Sequence, residues 1–511
     1  MGTALQPFYA IAIAAAALIV CCVLPLAAMA ALAIAGSDPR HATPWTALLL
    51  DPRQRALLVN SALLGAGTAA LSTAIGAPLG VALARIDLPF KATWRLLLTV
   101  PLVLPPYVVA LAWVYLGGSS GLRAAVVVLS TVFFPLSMLA TEVAVRRVDG
   151  RLEEAALLVA TPGRVLARIT LPLAAPAIWA AALIIFVLAI SEFGVPALLR
   201  VRVFTTEVFT AFAALYDFSR ALVLTVPLLV LSAVVSIGAA TLLADRLVTT
   251  RGGLPRAPTR WMPGWKGPAL VAFTVVVLLT LVVPVSVLLA ESRAAAADFG
   301  VIRGSQDALA NSLILSAASA CVVVAVAFWL GYARARAAPR TGRVLDALFL
   351  VLFATPSTVV GIGLIGLWNR EGPLGAVYGT DAMLLLASLA RFVPVAALVL
   401  GASVRQVPAS HEEAAAVSGA GWIRTIARIV VPQTRLAVLA AWTVTFILTF
   451  GELGASILVA PPGESTLPIR IYTLIANAPS SHVATLALLQ VGVVVCPLVV
   501  LALVLATREA R

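Results

Sequence analysis

Charge is what this chain has least of. Charged residues make up 11% of its 511 positions, against roughly a quarter in soluble domains, which excludes an ordinary water-soluble globule. Lysine occurs only as Lys91 and Lys266, followed by Ala92 and Gly267. A phosphate-binding Walker A loop, which needs Gly-Lys followed by Ser or Thr, therefore cannot be built. No polar stretch is long enough for an ATPase domain either. The three histidines, His41, His411 and His482, are scattered, and no His or Cys cluster has metal-ligand spacing, so no resident metal is expected. His411-Glu412 starts a zinc-protease-like pattern, but no second His follows. The four cysteines, Cys21, Cys22, Cys321 and Cys496, all fall in apolar runs and read as small core residues, with no disulfide frame.

What is abundant is apolar surface, at 62% of residues. Runs of about 20 apolar residues, long enough to cross a bilayer as helices, recur along the chain. They lie near 8–35, 58–84, 96–117, 124–144, 174–199 and 222–244, then near 268–290, 309–331, 346–367, 382–403, 436–459 and 484–506. Lipid offers the backbone no hydrogen-bond partners, so these spans must be helical. The N-terminal run lacks a basic flank and is too long for a signal peptide, so it counts as the first span. The expected fold class is an all-α polytopic membrane protein of about 12 transmembrane helices. The net charge of +13 suggests nucleic acid, but the distribution does not. With both termini inside, cytoplasmic loops hold roughly twice as many Lys and Arg as outer loops. That asymmetry orients the chain by the positive-inside rule and suits contact with membrane lipid.

The two halves repeat each other. Asn60-Ser61 returns as Asn311-Ser312, Gly80 as Gly331, Ala84-Arg85 as Ala335-Arg336, and Pro105 as Pro356, all at an offset of 251. Further on the offset becomes 260: Pro172 with Pro432, Glu192 with Glu452, Gly194 with Gly454. Six spans per half keep both copies in one orientation, giving two parallel six-helix repeats about an axis along the membrane normal. The repeats are expected over 1–244 and 268–511, joined by a basic cytoplasmic linker, 245–267.

Each half carries one polar elbow between spans, 150–172 and 409–432. The first reads Glu153-Glu154-Ala155-Ala156, then Ile169-Thr170-Leu171-Pro172. The second reads Glu412-Glu413-Ala414-Ala415, then Gly419 and Ile429-Val430-Val431-Pro432. In the second, Ser410 and Glu413 have capping-box spacing, the acidic pair suits a helix N-terminus, and the alanines make a thin, strong helix. Gly419 and Gly421 are expected to end that helix through positive φ. A second short helix carrying Arg424 and Arg428 would then be stopped by Pro432. In the first elbow Ala160 stands where the second has Gly419, and Pro162-Gly163 is expected to make the turn. An amphipathic helix lying on head groups is the bland alternative for such a loop. The matched pair, however, resembles the coupling ("EAA") loops of binding-protein-dependent ABC importer permeases of the type I fold. That resemblance implies that Glu153, Glu154, Ala155, Ala156, Gly163, Glu412, Glu413, Ala414, Ala415 and Gly419 couple the chain to an ATP-binding subunit, in two copies. It also implies an external solute-binding protein, location in a bacterial inner membrane, and no cofactor on this chain. ATP and Mg²⁺ would be used by the partner.

Glu192 and Glu452 occupy matched places inside apolar segments. An intramembrane carboxylate is costly and normally faces a cavity or a partner. They are candidates for the pathway or gate, or for capped helix contacts. Arg391, with Val132 at its place in the first half, could balance Glu452 or another acid, or snorkel to the interface. Pro105, Pro106 and Pro356 suggest kinked spans. Two fused halves resemble ferric-iron and thiamine importers, and Ser191–Leu199, Thr205–Phe209 and Thr466–Tyr472 look most like the ferric-iron type, although phosphonate or polyamine cargo stays open. A secondary transporter is the rival class, since it also uses six-span repeats. It would have no use for paired elbows.

Overall fold

The computed structural model describes residues 8–35, 51–246, 263–293, 300–463 and 465–509. His41 and most of the expected linker 245–267 lie outside the described residues. Within them the chain is helical and no strand occurs. Ten helices are long and apolar enough to cross a membrane, and two bent pairs bring the number to as many as twelve. In the first half these are α1 (Phe8–Leu32), α2 (Pro52–Arg85), the bent pair α3 (Lys91–Val103) and α4 (Pro106–Tyr115), and α5 (Leu122–Arg146). The elbow helix α6 (Gly150–Leu157) follows, then α7 (Pro162–Ser191) and α8 (Phe218–Thr241). The second half repeats the order with α9 (Lys266–Ser292), α10 (Gln306–Arg336), the bent pair α11 (Pro339–Phe353) and α12 (Ser357–Trp368), and α13 (Asp381–Val404). The elbow helix α14 (Ala409–Val417), α15 (Trp422–Phe450) and α16 (Ser480–Val504) complete it.

Proline shapes these helices in two ways. At Pro105-Pro106 and at Pro356 the chain turns by 88° and 91°. The residue before a proline is driven out of the helical region, and Leu104 (ψ 132°) and Pro105 (ψ 126°) are both extended. The spans read as 96–117 and 346–367 are therefore two arms at a right angle. Elsewhere proline is absorbed. Pro25, Pro172, Pro284 and Pro432 each directly follow a single π-turn, closed by i→i−5 bonds such as Leu171 N–H to Leu166 O and Val431 N–H to Ile426 O. Proline has no N–H to give and its ring crowds the carbonyl four residues back; a widened turn relieves both problems. Pro432 accordingly does not stop a short helix, as the sequence suggested. The helix starting at Trp422 runs through its π-turn into α15.

Packing is closest where side chains vanish. α2 lies against α5, and α10 against α13. A Cβ placed on Gly80 would run into the Met138 carbonyl oxygen, and one on Gly331 would sit 2.7 Å from the Gly401 nitrogen. Small residues let membrane helices approach to backbone contact. The first helix of each half reaches across to the other: α1 packs on α10, α12 and α13 besides α8, while α9 packs on α2, α3 and α4 besides α16. The halves are thus interlocked. Around them lies an exposed apolar belt, including Val59, Leu63, Trp179, Val234, Val271, Leu279 and Ile314, as lipid contact requires. Cys21 and Cys22 are buried, whereas Cys321 and Cys496 sit exposed on the apolar helices instead of in the core; all four are free thiols.

Candidate functional site: two clamped elbows and a sealed centre

The first elbow starts at Asp149, whose side chain accepts from the Arg151 N–H at 3.0 Å. Its two adjacent acids face opposite ways. Glu153 is fully buried, and Arg85, at the C-terminal end of α2, is 1% exposed. Arg85 Nη2 lies 3.0 Å from Glu153 Oε2, and its Nε donates to Oε1 at 3.1 Å. Thr170 Oγ1 donates to the same Oε1 at 2.6 Å, and Arg85 Nη2 donates to the Val145 carbonyl at 2.6 Å. One ion pair thus ties the elbow to α7 through the carboxylate and α2 to α5 through the guanidinium. Glu154 and Ala155 face outward with Leu158 and Val159, and Ala156 is half-buried. Gly163 does not make the turn expected of it: it lies in the first turn of α7 without positive φ. The chain reverses over 158–161, upstream of it.

The second elbow repeats the clamp with looser surroundings. Glu412 accepts from Arg336 Nε at 3.0 Å, from Arg336 Nη2, and from the Tyr332 hydroxyl at 2.6 Å. Arg336 Nη2 also donates to the Val407 carbonyl at 3.1 Å. The side chains of Arg336 and Glu412 are 23% and 16% exposed, against 1% and 0% for Arg85 and Glu153. The expected capping box does not form. Pro408 occupies the N-cap and no side chain caps the helix, because the helix starts one residue earlier than Ser410. Gly419 has the expected positive φ (+79°), whereas Gly421 does not (φ −67°). Glu413, Ala414, Ala416 and Val417 are exposed, and Ala415 is half-buried. Trp422 meets Trp329 of α10 edge-on, with centroids 6.0 Å apart, a second tie between this elbow and the helix that carries its arginine.

Arg85 and Arg336 were visible in the sequence only as a matched pair without a role. Their signal is that each lies at the end of the third span before its elbow, at the constant offset.

At the centre, α7 and α15 both end early. The spans read to 199 and 459 stop at Ser191 and Phe450. Glu192 and Glu452 fall in the breaks that follow, each turned onto a backbone N–H: Gly194 at 3.0 Å and Ala455 at 2.9 Å. The breaks abut across the halves. A Cβ on Gly194 would lie 3.5 Å from Leu453 Cδ2, and one on Gly454 would lie 3.5 Å from Phe193 Cβ. Ser357, at the start of α12, donates to the Ser191 carbonyl at 3.3 Å. The Phe193 ring sits 5.8 Å from that of Tyr472, and Tyr107 and Gln490 hydrogen-bond across the same seam. Phe193 and Leu453 are 2% and 4% exposed, so the seam is shut. Arg391 pairs with Glu452 at 3.0 Å, their side chains 14% and 10% exposed; it does not snorkel. Glu192 has no such arginine, since Val132 at the matching place is buried among apolar neighbours. Among the described residues no group of His, Cys, Asp and Glu could hold a metal ion.

Bent central arms, broken helices meeting at the seam and a polar elbow in each half make this a polytopic membrane permease. Residues 323–508 match the binding-protein-dependent transport system inner membrane component family. Along 460 residues the chain is 25% identical to an Fe(3+)-transport system permease protein, FbpB 2, of Haemophilus influenzae, covering 87% of this chain and 89% of that one. It is 30% identical over 182 residues to a putative ABC transporter permease protein of Streptomyces antibioticus, covering 35% of this chain and 78% of the relative. A putative 2-aminoethylphosphonate transport system permease protein, PhnV, of Salmonella typhimurium is 27% identical over 191 residues, 37% of this chain and 70% of the relative. The chain belongs to the binding-protein-dependent permeases of ABC importers. Proteins of this family are transport permeases and not enzymes.

Proposed function

We propose that this permease forms the pathway of a ferric-iron importer, driven through its two elbows by a pair of ATP-binding subunits and supplied by an external solute-binding protein. The observation that carries the coupling is the matched elbow. In each half an exposed acid with apolar neighbours, Glu154 with Leu158 and Val159, Glu413 with Val417, projects from a helix held to the body by an ion pair. An apolar tip beside an acid suits a groove on a partner, because exposed apolar side chains gain most from burial in a complex. With the termini inside, both elbows face the cytoplasm, where ATP is. Glu154, Ala155, Glu413 and Ala414 are the contact residues, and Glu153 and Glu412 serve the elbow from within.

Cargo is supported by likeness along most of the chain to a ferric-iron permease and by the two carboxylates at the seam, which suit a hard, oxygen-seeking cation. The seam with Glu192, Glu452 and Arg391 would be the gate, opened when the elbows are driven together and closed again after hydrolysis. A 2-aminoethylphosphonate importer is the second reading, supported by the Salmonella relative. Uptake of labelled ferric iron, 2-aminoethylphosphonate and thiamine in cells with and without the gene separates them. Loss of iron uptake alone is expected; loss of another solute alone would replace iron as cargo. Copurification of an ATPase, abolished by Glu154→Arg with Glu413→Arg, tests the coupling.

A further inference from the structure

We propose that Arg85 and Arg336 are positioning residues that carry elbow movement into the membrane body, and that the two links are unequal, the first fixed and the second able to open. The inference rests on the coupling reading above and adds how force leaves the elbow.

An elbow can move the seam only if something stiff connects them. α6 and α14 are short, and each is flanked by turns. Pushed at the tip, a short helix on two turns would simply hinge. In each half an arginine at the end of the long helix beside the elbow removes that freedom. Arg85 engages both oxygens of Glu153, Nε on Oε1 and Nη2 on Oε2, whereas Arg336 sets Nε and Nη2 on the single Oε1 of Glu412. A guanidinium fork on two oxygens resists rotation as well as separation; in the second link the Tyr332 hydroxyl holds the other oxygen instead. Each arginine also holds a backbone carbonyl just before its elbow, Val145 or Val407, so elbow and entry chain move as one piece with the helix.

That helix reaches the seam's neighbourhood. Ser61 of α2 accepts from the Phe204 N–H at 3.1 Å, and Ser312 of α10 accepts from the Leu467 N–H at 2.6 Å. The short helices Phe204–Phe209 and Leu467–Ile475, which follow the two breaks, are thereby pinned to the same rods. From α2 one more contact leads to the centre: Thr205 Oγ1 donates to the Glu192 carbonyl at 3.1 Å. From α10 the line runs through Tyr472, whose ring meets Phe193. Elbow, arginine, rod and seam form a continuous chain of contacts in each half.

Surroundings make the two links different. Glu153 is out of water and held by Thr170 as well, so separating it from Arg85 would strand two buried charges, which is strongly unfavourable. Glu412 and Arg336 are reached by water, and Tyr332 is a neutral partner. Water can replace either contact, so this link can break and re-form.

The test uses the full-length permease bound to its ATPase subunits, with the four native cysteines replaced by serine or alanine. Spin labels at Arg151→Cys and Ser410→Cys, exposed elbow positions away from the apolar tips, report the elbows, and labels at Arg200→Cys and Pro462→Cys report the chain beyond the breaks. Distances are measured without nucleotide and with ATP, Mg²⁺ and vanadate. In the otherwise unaltered chain both pairs should shift. In Arg85→Met the elbow pair should still shift while the outer pair no longer does, and exchanging the charges (Arg85→Glu with Glu153→Arg) should restore it. Arg336→Met should reduce the outer shift only partly, and it supplies the comparison if Arg85→Met does not assemble. An outer shift that survives in both variants overturns the proposal. Loss of the elbow shift with the ATPase still bound overturns it as well, since the ion pairs would then only hold the fold. Failure of any ATPase to bind the unaltered chain overturns instead the coupling on which the proposal rests.

Discussion

Arg391 and Glu452 are the residues whose pairing matters most at the seam. Both side chains are largely out of water, and one carboxylate oxygen also caps the Ala455 N–H. Removing one partner of such a pair leaves an uncompensated charge, an effect of about 3–5 kcal/mol. Arg391→Met should therefore lower the thermal midpoint of the purified permease strongly. Adding Glu452→Gln should recover much of the loss, because a neutral amide can remain in place. Thermal unfolding of the two single variants and the double variant decides it. If the single and double variants melt together, the pair is electrostatically idle. This pairing was half legible in the sequence. Arg391 stood in a span and Glu452 in another, but which acid it met depends on α13 and α15 packing side by side, and no local pattern encodes that. The same limit applied at the elbows. Glu153 and Glu154 are adjacent and chemically alike, and only the turn of α6 decides that one meets Arg85 and the other meets solvent.

At the scale of elements, hydropathy located every span, because the lipid requirement is written in composition. It did not see where helices bend or stop. An apolar arm at a right angle scores like a straight one, so 96–117 and 346–367 read as single spans despite bends of 88° and 91°. Pro105, Pro106 and Pro356 carried the signal, whereas Pro432, absorbed by a π-turn, looked like a stop and was not. The glycines were more telling. Gly80 and Gly331 recur at the repeat offset, and the structure shows why: each meets backbone of the crossing helix, with no flexible side chain to yield. Gly80→Leu and Gly331→Leu should push α2 from α5 and α10 from α13. Overpacking of this kind costs about 1–3 kcal/mol or more, and detergent-solubilised protein should melt earlier in each case. Gly492, with nothing within 4 Å of an added Cβ, is the control. Gly492→Ala should be neutral or slightly stabilising, since alanine is favoured over glycine in a helix by about 1 kcal/mol. An equal loss at all three sites would mean that the crossings are not governed by backbone contact.

For the molecule as a whole, the exchange of first helices sets how the halves depend on each other. α1 packs mainly on α10, α12 and α13 and in part on α8 of its own half, and α9 divides its packing between α16 of its own half and α2, α3 and α4 of the other. Buried positions on them, such as Cys22 on α1, which meets the Ala390 carbonyl, or Phe273 on α9, whose ring meets Trp94, would lose those partners in a half expressed alone. Detergent tolerates apolar surface, so the loss is of specific packing and of the seam contacts, where Tyr107 meets Gln490 and Ser357 meets Ser191. Neither half has an internal substitute for these. Expressed separately, 1–250 and 251–511 should each be degraded or polydisperse. Coexpressed with a tag on one half only, they should copurify and melt near the intact chain, because every contact between the halves is non-covalent apart from the connection through 247–262. Size-exclusion profiles and thermal midpoints of the three preparations give the answer. If one half proves monodisperse and as stable as the pair, the interlock is not what holds the permease together, and the seam would have to open with far less restraint than these contacts impose.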